Sequence, residues 1–153
     1  MDINECRIET QKHIDKVRKY IRLFTDKLTT RGELHDRSKL EEPEIQGFAE
    51  HTEKLSKIEY GSEEYKKELE ALKDTLDHHY AVNAHHPEHW PNGINDMSLW
   101  DITEMLCDWK ASSGRQKSGN ILKSIELNAE RFNIDSQLKQ ILINTARLME
   151  EQD

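Results

Sequence analysis

Residues 63–86 read EEYKKELEALKDTLDHHYAVNAHH. Tyr65, Leu69, Leu72 and Leu76 are spaced by four, three and four, the interval that keeps side chains on one face of an α-helix. The same spacing continues through His79, Asn83 and His86, so an aliphatic stripe turns into an imidazole one. A face committed to the interior carries polar groups only where they are hydrogen-bonded or hold a metal. The spacing therefore predicts a helix over 63–86 whose inner face ends in a polar site. Pro87 closes it, because proline disfavours helical backbone at the residue before it.

Outward from this stretch the same periodicity recurs, and no segment alternates β-branched with polar residues, so the chain reads as all-α. A first helix is expected from Asn4, its N-cap, to Leu28, with Ile14, Val17, Tyr20, Ile21, Phe24 and Leu28 as its core stripe and Arg31-Gly32 ending it. A short helix carrying Leu34, His35, Asp36 and Lys39 follows, and another piece opens at Pro43, which needs no backbone donor in a first turn. Pro91-Asn92-Gly93 reads as a turn. Ser98 to Ser113 reads as a helix with Leu99, Ile102, Met105, Leu106 and Trp109 as its apolar set. Ser112 to Gly119 is a polar loop. Two terminal helices use Ile121, Leu122, Ile125, Ala129 and Phe132, then Leu138, Ile141, Leu142, Ala146 and Leu148, with Asp135 capping the second.

The chain has 153 residues, 22 Lys and Arg against 30 Asp and Glu, and a formal net charge of −8. This length predicts a single domain over 1–153, since a chain of this size buries roughly two-thirds of its unfolded surface in one core. No long apolar run and no basic-then-apolar N-terminus is present, so a cytoplasmic protein without a membrane partner is expected. Cys6 and Cys107 lack the spacing of a metal knuckle or disulfide framework. The acid surplus excludes the basic footprint that duplex nucleic acid rewards. A homodimer is left open. Eight histidines are present, five of them between His78 and His89.

The residues able to hold a metal on predicted core faces are Glu9, His13, His35, Asp36, His79, His85, His86 and Asp108. Glu9 and His13 are four apart and point the same way from the first helix. An isolated His35-Asp36 pair is by default solvated, so its meaning depends on the rest of the set. Helical phase favours His79 over His78 and His86 over His85. Asp101 and Glu104 share an edge with Asp108, and either could orient a ligand imidazole. Asn83, between His79 and His86, is a candidate hydrogen-bonding partner for substrate or water. His89 beside Trp90 could recognise substrate or simply pack, and His51 reads as a surface residue.

The order His13, His35-Asp36, Asp108 resembles the HD-domain metal-dependent phosphohydrolases, all-α proteins whose ligands come as His, His-Asp, Asp. His35-Asp36-Arg37-Ser38-Lys39 is similar to the HD-x-x-K form of that motif. His85-His86-Pro87-Glu88-His89, followed by Gly93, resembles the double-histidine segment of the HD-GYP subgroup, as does Asp108-Trp109-Lys110-Ala111 with Arg115 its closing segment. The chain also resembles a small phage and bacterial family of unknown function carrying HD-x-S-K, HHPEH and DW-x-A. The Gly-Tyr-Pro itself is missing, since Gly93 is followed by Ile94-Asn95, so that subgroup's cyclic-dinucleotide substrate is not carried over.

The resemblance implies a compact HD-like bundle of about six to seven helices and both His85 and His86 as ligands. Imidazole and carboxylate donors without thiolate suit Mn, Fe, Co, Ni, Zn or Mg. A ligand set this large suits two divalent ions ~3.5–4 Å apart, with Asp36 as the catalytic bridge. Lys39, one turn on, and Arg115 could offset charge on phosphate oxygens, each against the default of a solvated surface cation. Together these predict a phosphohydrolase acting on a small phosphorylated molecule, a nucleotide foremost, with Lys39, Asn83, His89 and Arg115 as substrate contacts. Two rivals stand beside it: a dimetal iron oxygenase on the same fold, and a non-catalytic metal- or nucleotide-binding accessory protein.

Overall fold

The computed structural model describes residues 2–58, 62–114 and 120–151. Among the described residues there are seven α-helices, three short 3-10 helices and no strand, so the fold is all-α. Two compact units are distinguished, Met1–His35 and Asp36–Asp153.

The first unit is one helix, α1 (Ile3–Leu34). Its N-cap is Asp2, two residues before the expected Asn4, because Asp2 and Glu5 form a reciprocal capping box that satisfies two orphan backbone donors. The helix also continues past Leu28 and through Gly32, where glycine costs only about 1 kcal/mol relative to alanine and so does not by itself end a helix. The expected stripe is not a core: α1 has no buried residue, and Ile14, Val17, Tyr20 and Ile21 are exposed. A lone helix has no second layer within its own unit to cover such a stripe.

The second unit begins with a 3-10 turn (Arg37–Leu40), followed by α2 (Glu44–Lys57), α3 (Glu63–Ala71) and α4 (Lys73–Val82). Pro43 sits just before α2, one position earlier than the first-turn placement its sequence suggests. The predicted helix over 63–86 is interrupted at Leu72 and ends at Val82. The reason for the end at Val82 lies in Asn83 and Pro87. A proline ring clashes with the carbonyl four residues earlier, here that of Asn83, so helical backbone cannot run up to position 86. Asn83 turns extended and its side-chain amide donates to the His79 carbonyl, closing α4 from outside. Residues 84–90 then form a compact turn, fastened by Trp90 Nε1 donating to the Ala84 carbonyl at 2.9 Å and by His89 Nδ1 donating to the Tyr80 carbonyl at 2.8 Å.

The core of this unit lies among α5 (Leu99–Ser113), α6 (Ile121–Arg131) and α7 (Ser136–Glu150), where Leu106, Ile121, Ile125, Ala129, Leu142 and Ala146 are buried together. Ser98 caps α5 through a box with Asp101, and Asp135 caps α7 as expected. Three residues assigned to the core are on the surface instead: Leu99, Ile141 and Leu148, each more than half exposed. They sit at the margins of their stripes, where the spacing is right but the described helices of this unit leave them uncovered. Trp109 stacks on Phe132 at the edge of this core.

α2 lies against both α4 and the 3-10 turn. Their approach depends on Gly47, since a Cβ there would sit 2.0 Å from Thr75 Oγ1 and 2.9 Å from its Cβ. Thr75 is β-branched and stiff at χ1, so it cannot swing aside cheaply. Gly47→Ala is expected to destabilise the protein by about 1–3 kcal/mol, the usual range for overpacking. Urea unfolding followed by circular dichroism measures this, and an unchanged midpoint would contradict the close approach of α2 to α4.

Candidate metal centre

The 3-10 turn, α2, α4 and the turn after it bring one group of side chains together. Ligand atoms of Asp36, His79, His85 and His86 all lie within 4.8 Å of one another. Asp36 Oδ1 is 3.4 Å from His79 Nε2 and 3.5 Å from His85 Nε2, and His79 Nε2 is 2.9 Å from His86 Nε2. Two imidazole nitrogens at that separation need a proton or a cation between their lone pairs. His79 and His85 are buried, and Asp36 and His86 are partly so.

Asp36 reaches the group from a left-handed backbone conformation, φ 53° and ψ 19°. Aspartate tolerates this region better than most residues, and the conformation still costs on the order of 1 kcal/mol. Its other oxygen, Oδ2, accepts from Lys39 Nζ at 2.6 Å, which turns Oδ1 towards the imidazoles. Lys39 also lies over the Phe48 ring, 5.2 Å from its centroid.

The orientation of the rings is set from behind. His79 Nδ1 donates to Glu44 Oε2 at 2.9 Å, and His85 Nδ1 is 3.1 Å from Glu104 Oε1. With Nδ1–H turned to a carboxylate, each neutral ring presents its Nε2 lone pair to the group, the arrangement that a metal-ligating histidine normally has. Of the two candidates on α5, Glu104 therefore orients a ring, while Asp101 accepts from the Ser98 backbone and hydroxyl as part of the helix cap.

Both doublets resolve by geometry. His78 is half-exposed and donates from Nδ1 to Glu44 Oε1 at 2.7 Å, whereas His79 faces the group, as helical phase predicts. His85 and His86 both join it, since the non-helical turn after Val82 replaces the single helical face on which only one could point inward. Asp108 is partly buried on α5, and its charge is felt by His86. Asn83 donates to the Ser38 hydroxyl at 2.9 Å and to the His79 carbonyl, so it braces the group's surroundings. His89 holds the Tyr80 carbonyl and packs against Trp90. Glu9, His13 and His35 lie in the first unit, Glu9 pairing with Lys12 and His35 capping α1. Arg115 lies outside the described residues.

Sequence reading misses Glu44, the carboxylate at the centre of this arrangement. It has no exposed surface. It sits in the run Glu41-Glu42-Pro43-Glu44, where an acid looks solvated; the available signal is that Glu44, Phe48 and His51 share one helical face. His51 is not a surface residue either, since its Nδ1 is 2.6 Å from Glu68 Oε1 and the pair is mostly enclosed.

The electrostatics follow from burial. Desolvation is the largest influence on Glu44 and would raise its pKa, but hydrogen bonds from His78, His79 and Ser38 together outweigh it and leave the group below its ordinary value. Desolvation pushes His79 down, opposed by its bond to Glu44. His86 falls further, to about 3, through desolvation and the neighbouring His85 and His79. Burial thus favours the neutral, ligating form of His79 and His86 at neutral pH.

Residues 2–148 match the family model described as a family of unknown function (DUF5662), and the chain belongs to that family. No curated protein and no solved structure matches the chain. Among the described residues no helix is long and apolar enough to cross a membrane.

A pH dependence of stability follows. His79 and His86 bind protons less readily folded than unfolded, so the unfolded chain carries more protons as pH falls below about 6.5. Stability is greatest above that pH and is lost on acidification at roughly 1 kcal/mol per pH unit for each histidine, down to the folded value. Urea midpoints of chelator-treated protein between pH 7.5 and 5 should fall steadily. Midpoints that stay level or rise would contradict neutral, buried imidazoles.

Proposed function

We propose that the protein is a metal-dependent phosphohydrolase acting on a small phosphorylated molecule, with nucleotides as the substrate class its charge fits best. The observation that carries the reading is the convergence of Asp36 Oδ1 with the Nε2 atoms of His79, His85 and His86, two of those rings being oriented by Glu44 and Glu104. This is a donor set for a borderline or hard divalent ion such as Mn, Fe, Co, Ni, Zn or Mg, with no thiolate in it. A divalent ion supplies charge for phosphate oxygens and lowers the pKa of a bound water towards neutrality.

The chain's own residues account for the remaining parts. Asp36 contributes one oxygen to the group and keeps the other on Lys39, so the ammonium stays within reach of an arriving phosphate while fixing the carboxylate. The four gathered residues suffice for one ion, and Asp108, on the adjoining helix, is the first candidate to help hold a second. The formal charge of −8 disfavours a polyanion, whereas a single phosphate is small enough to be drawn by a local cation. The order of His35-Asp36, His85-His86 and Asp108 along the chain supports the same chemistry through its resemblance to the HD-domain phosphohydrolases.

The test is phosphate release from a panel of nucleotides and other small phosphoesters, with Mn²⁺, Mg²⁺ or Co²⁺ supplied after chelation. Activity should depend on the ion. Loss of an outer partner of a metal ligand costs 10–100-fold, so Asp36→Ala, which removes a ligand atom itself, should cost at least roughly 100-fold. Circular dichroism checks that its helix content is kept. Turnover by Asp36→Ala equal to wild type would refute the assignment. Tight metal or nucleotide binding without turnover by the wild type would point instead to a sequestering module, and oxygen consumption by the iron-loaded protein to an oxygenase.

A further inference from the structure

We infer that Glu44 is the positioning residue of the metal group: its carboxylate holds His79 in the one tautomer whose Nε2 lone pair faces Asp36, and His78 is the strut that holds the carboxylate. The inference rests on the metal reading above and assigns a role that the resemblance does not supply.

Glu44 is fully buried at the start of α2. Its Oε2 accepts from the Ser38 hydroxyl and from His79 Nδ1, each at 2.9 Å, and its Oε1 accepts from His78 Nδ1 at 2.7 Å. An ionised carboxylate has no hydrogen to give, so every nitrogen facing it must bring one. A neutral imidazole has one N–H, and placing it on Nδ1 leaves Nε2 as a lone pair. For His79 that lone pair is the atom 3.4 Å from Asp36 Oδ1 and 2.9 Å from His86 Nε2. Phe48 packs edge-on against the same ring at 5.8 Å, so the ring has little freedom to turn over.

The half-exposed His78 has no place in the metal group, yet its Nδ1 is aimed at the buried oxygen that His79 does not use. Ser38 completes the set, with Asn83 donating to its hydroxyl so that the hydroxyl's own hydrogen is directed at Glu44. Every donor around Glu44 is thus arranged for an acceptor at its centre. A purely structural tie between α2 and α4 would not require this. Buried ionic groups are often replaceable by apolar isosteres without loss of stability, so such a tie needs no carboxylate here.

The experiment compares full-length wild type with Glu44→Gln and Glu44→Met, using Co²⁺ alone as the probe and its visible absorption as the readout. In chelated, ¹⁵N-labelled wild type, imidazole nitrogen shifts should show His79 protonated on Nδ1. Glu44→Gln can still place its carbonyl oxygen opposite Ser38 and His79, turning its amide to His78. Glu44→Met has similar length and no acceptor of comparable strength. Co²⁺ affinity should fall about 10–100-fold in Glu44→Met and be recovered at least in part by Glu44→Gln, at equal helix content. Wild-type affinity in folded Glu44→Met, or no recovery in Glu44→Gln, would overturn the role of Glu44 alone. If Glu44→Met does not fold, the wild-type tautomer decides, and an Nε2-protonated His79 overturns the inference. Wild-type protein that takes up no Co²⁺ overturns the metal reading, and this inference with it.

Discussion

The second unit is organised around a carboxylate with no access to solvent. Leaving Glu44 buried without partners would cost several kcal/mol, and the chain meets that constraint by bringing Ser38, His78 and His79 onto its two oxygens. These partners come from the 3-10 turn and from α4, so satisfying one side chain fixes three elements against one another. Gly47 lets α2 come close enough to α4 for those bonds to form. The aliphatic core among α5, α6 and α7 supplies hydrophobic stabilisation a short distance away, and Glu104 on α5 connects that core to the group through His85.

This division of labour explains how a polar cluster is tolerated inside a small all-α unit. Each of the two buried histidines has a carboxylate behind it, and both present lone pairs to Asp36. Lys39 balances the charge of Asp36 on its far side. Asp36 reaches the cluster only by adopting a left-handed backbone, and a strained conformation at a group of potential ligands is where function, more often than stability, sets the geometry.

Much of this was legible in the residues, and the rest was not for identifiable reasons. Helical spacing gives the all-α fold and the inward face of His79, because an aliphatic stripe of fixed period leaves no other phase. It misplaces the end of α4, since the spacing of His86 fits a helix that Pro87 forbids; the steric reach of that proline was the better guide. Leu99, Ile141 and Leu148 show that periodicity reports a face, not what lies opposite it. Glu44 was hidden because a buried acid looks like a solvated one until its donors are placed, and those donors lie 6 residues before it and 34 and 35 residues after it. Glu9 and His13 are sequence-based expectations on a helix that forms a unit of its own. Family membership extends over nearly the whole chain without supplying a function, so chemistry has to be argued from the cluster itself.

The proposed metal site consists of three imidazole Nε2 atoms and one aspartate oxygen. X-ray absorption at the cobalt edge of Co²⁺-loaded full-length protein tests it most directly, because imidazole rings give a characteristic outer-shell scattering that water and carboxylates lack. The expected result is one ion bound through about three imidazole nitrogens, with the remaining ligands oxygen. A cobalt environment of oxygen alone, or no retained cobalt after desalting, would contradict it.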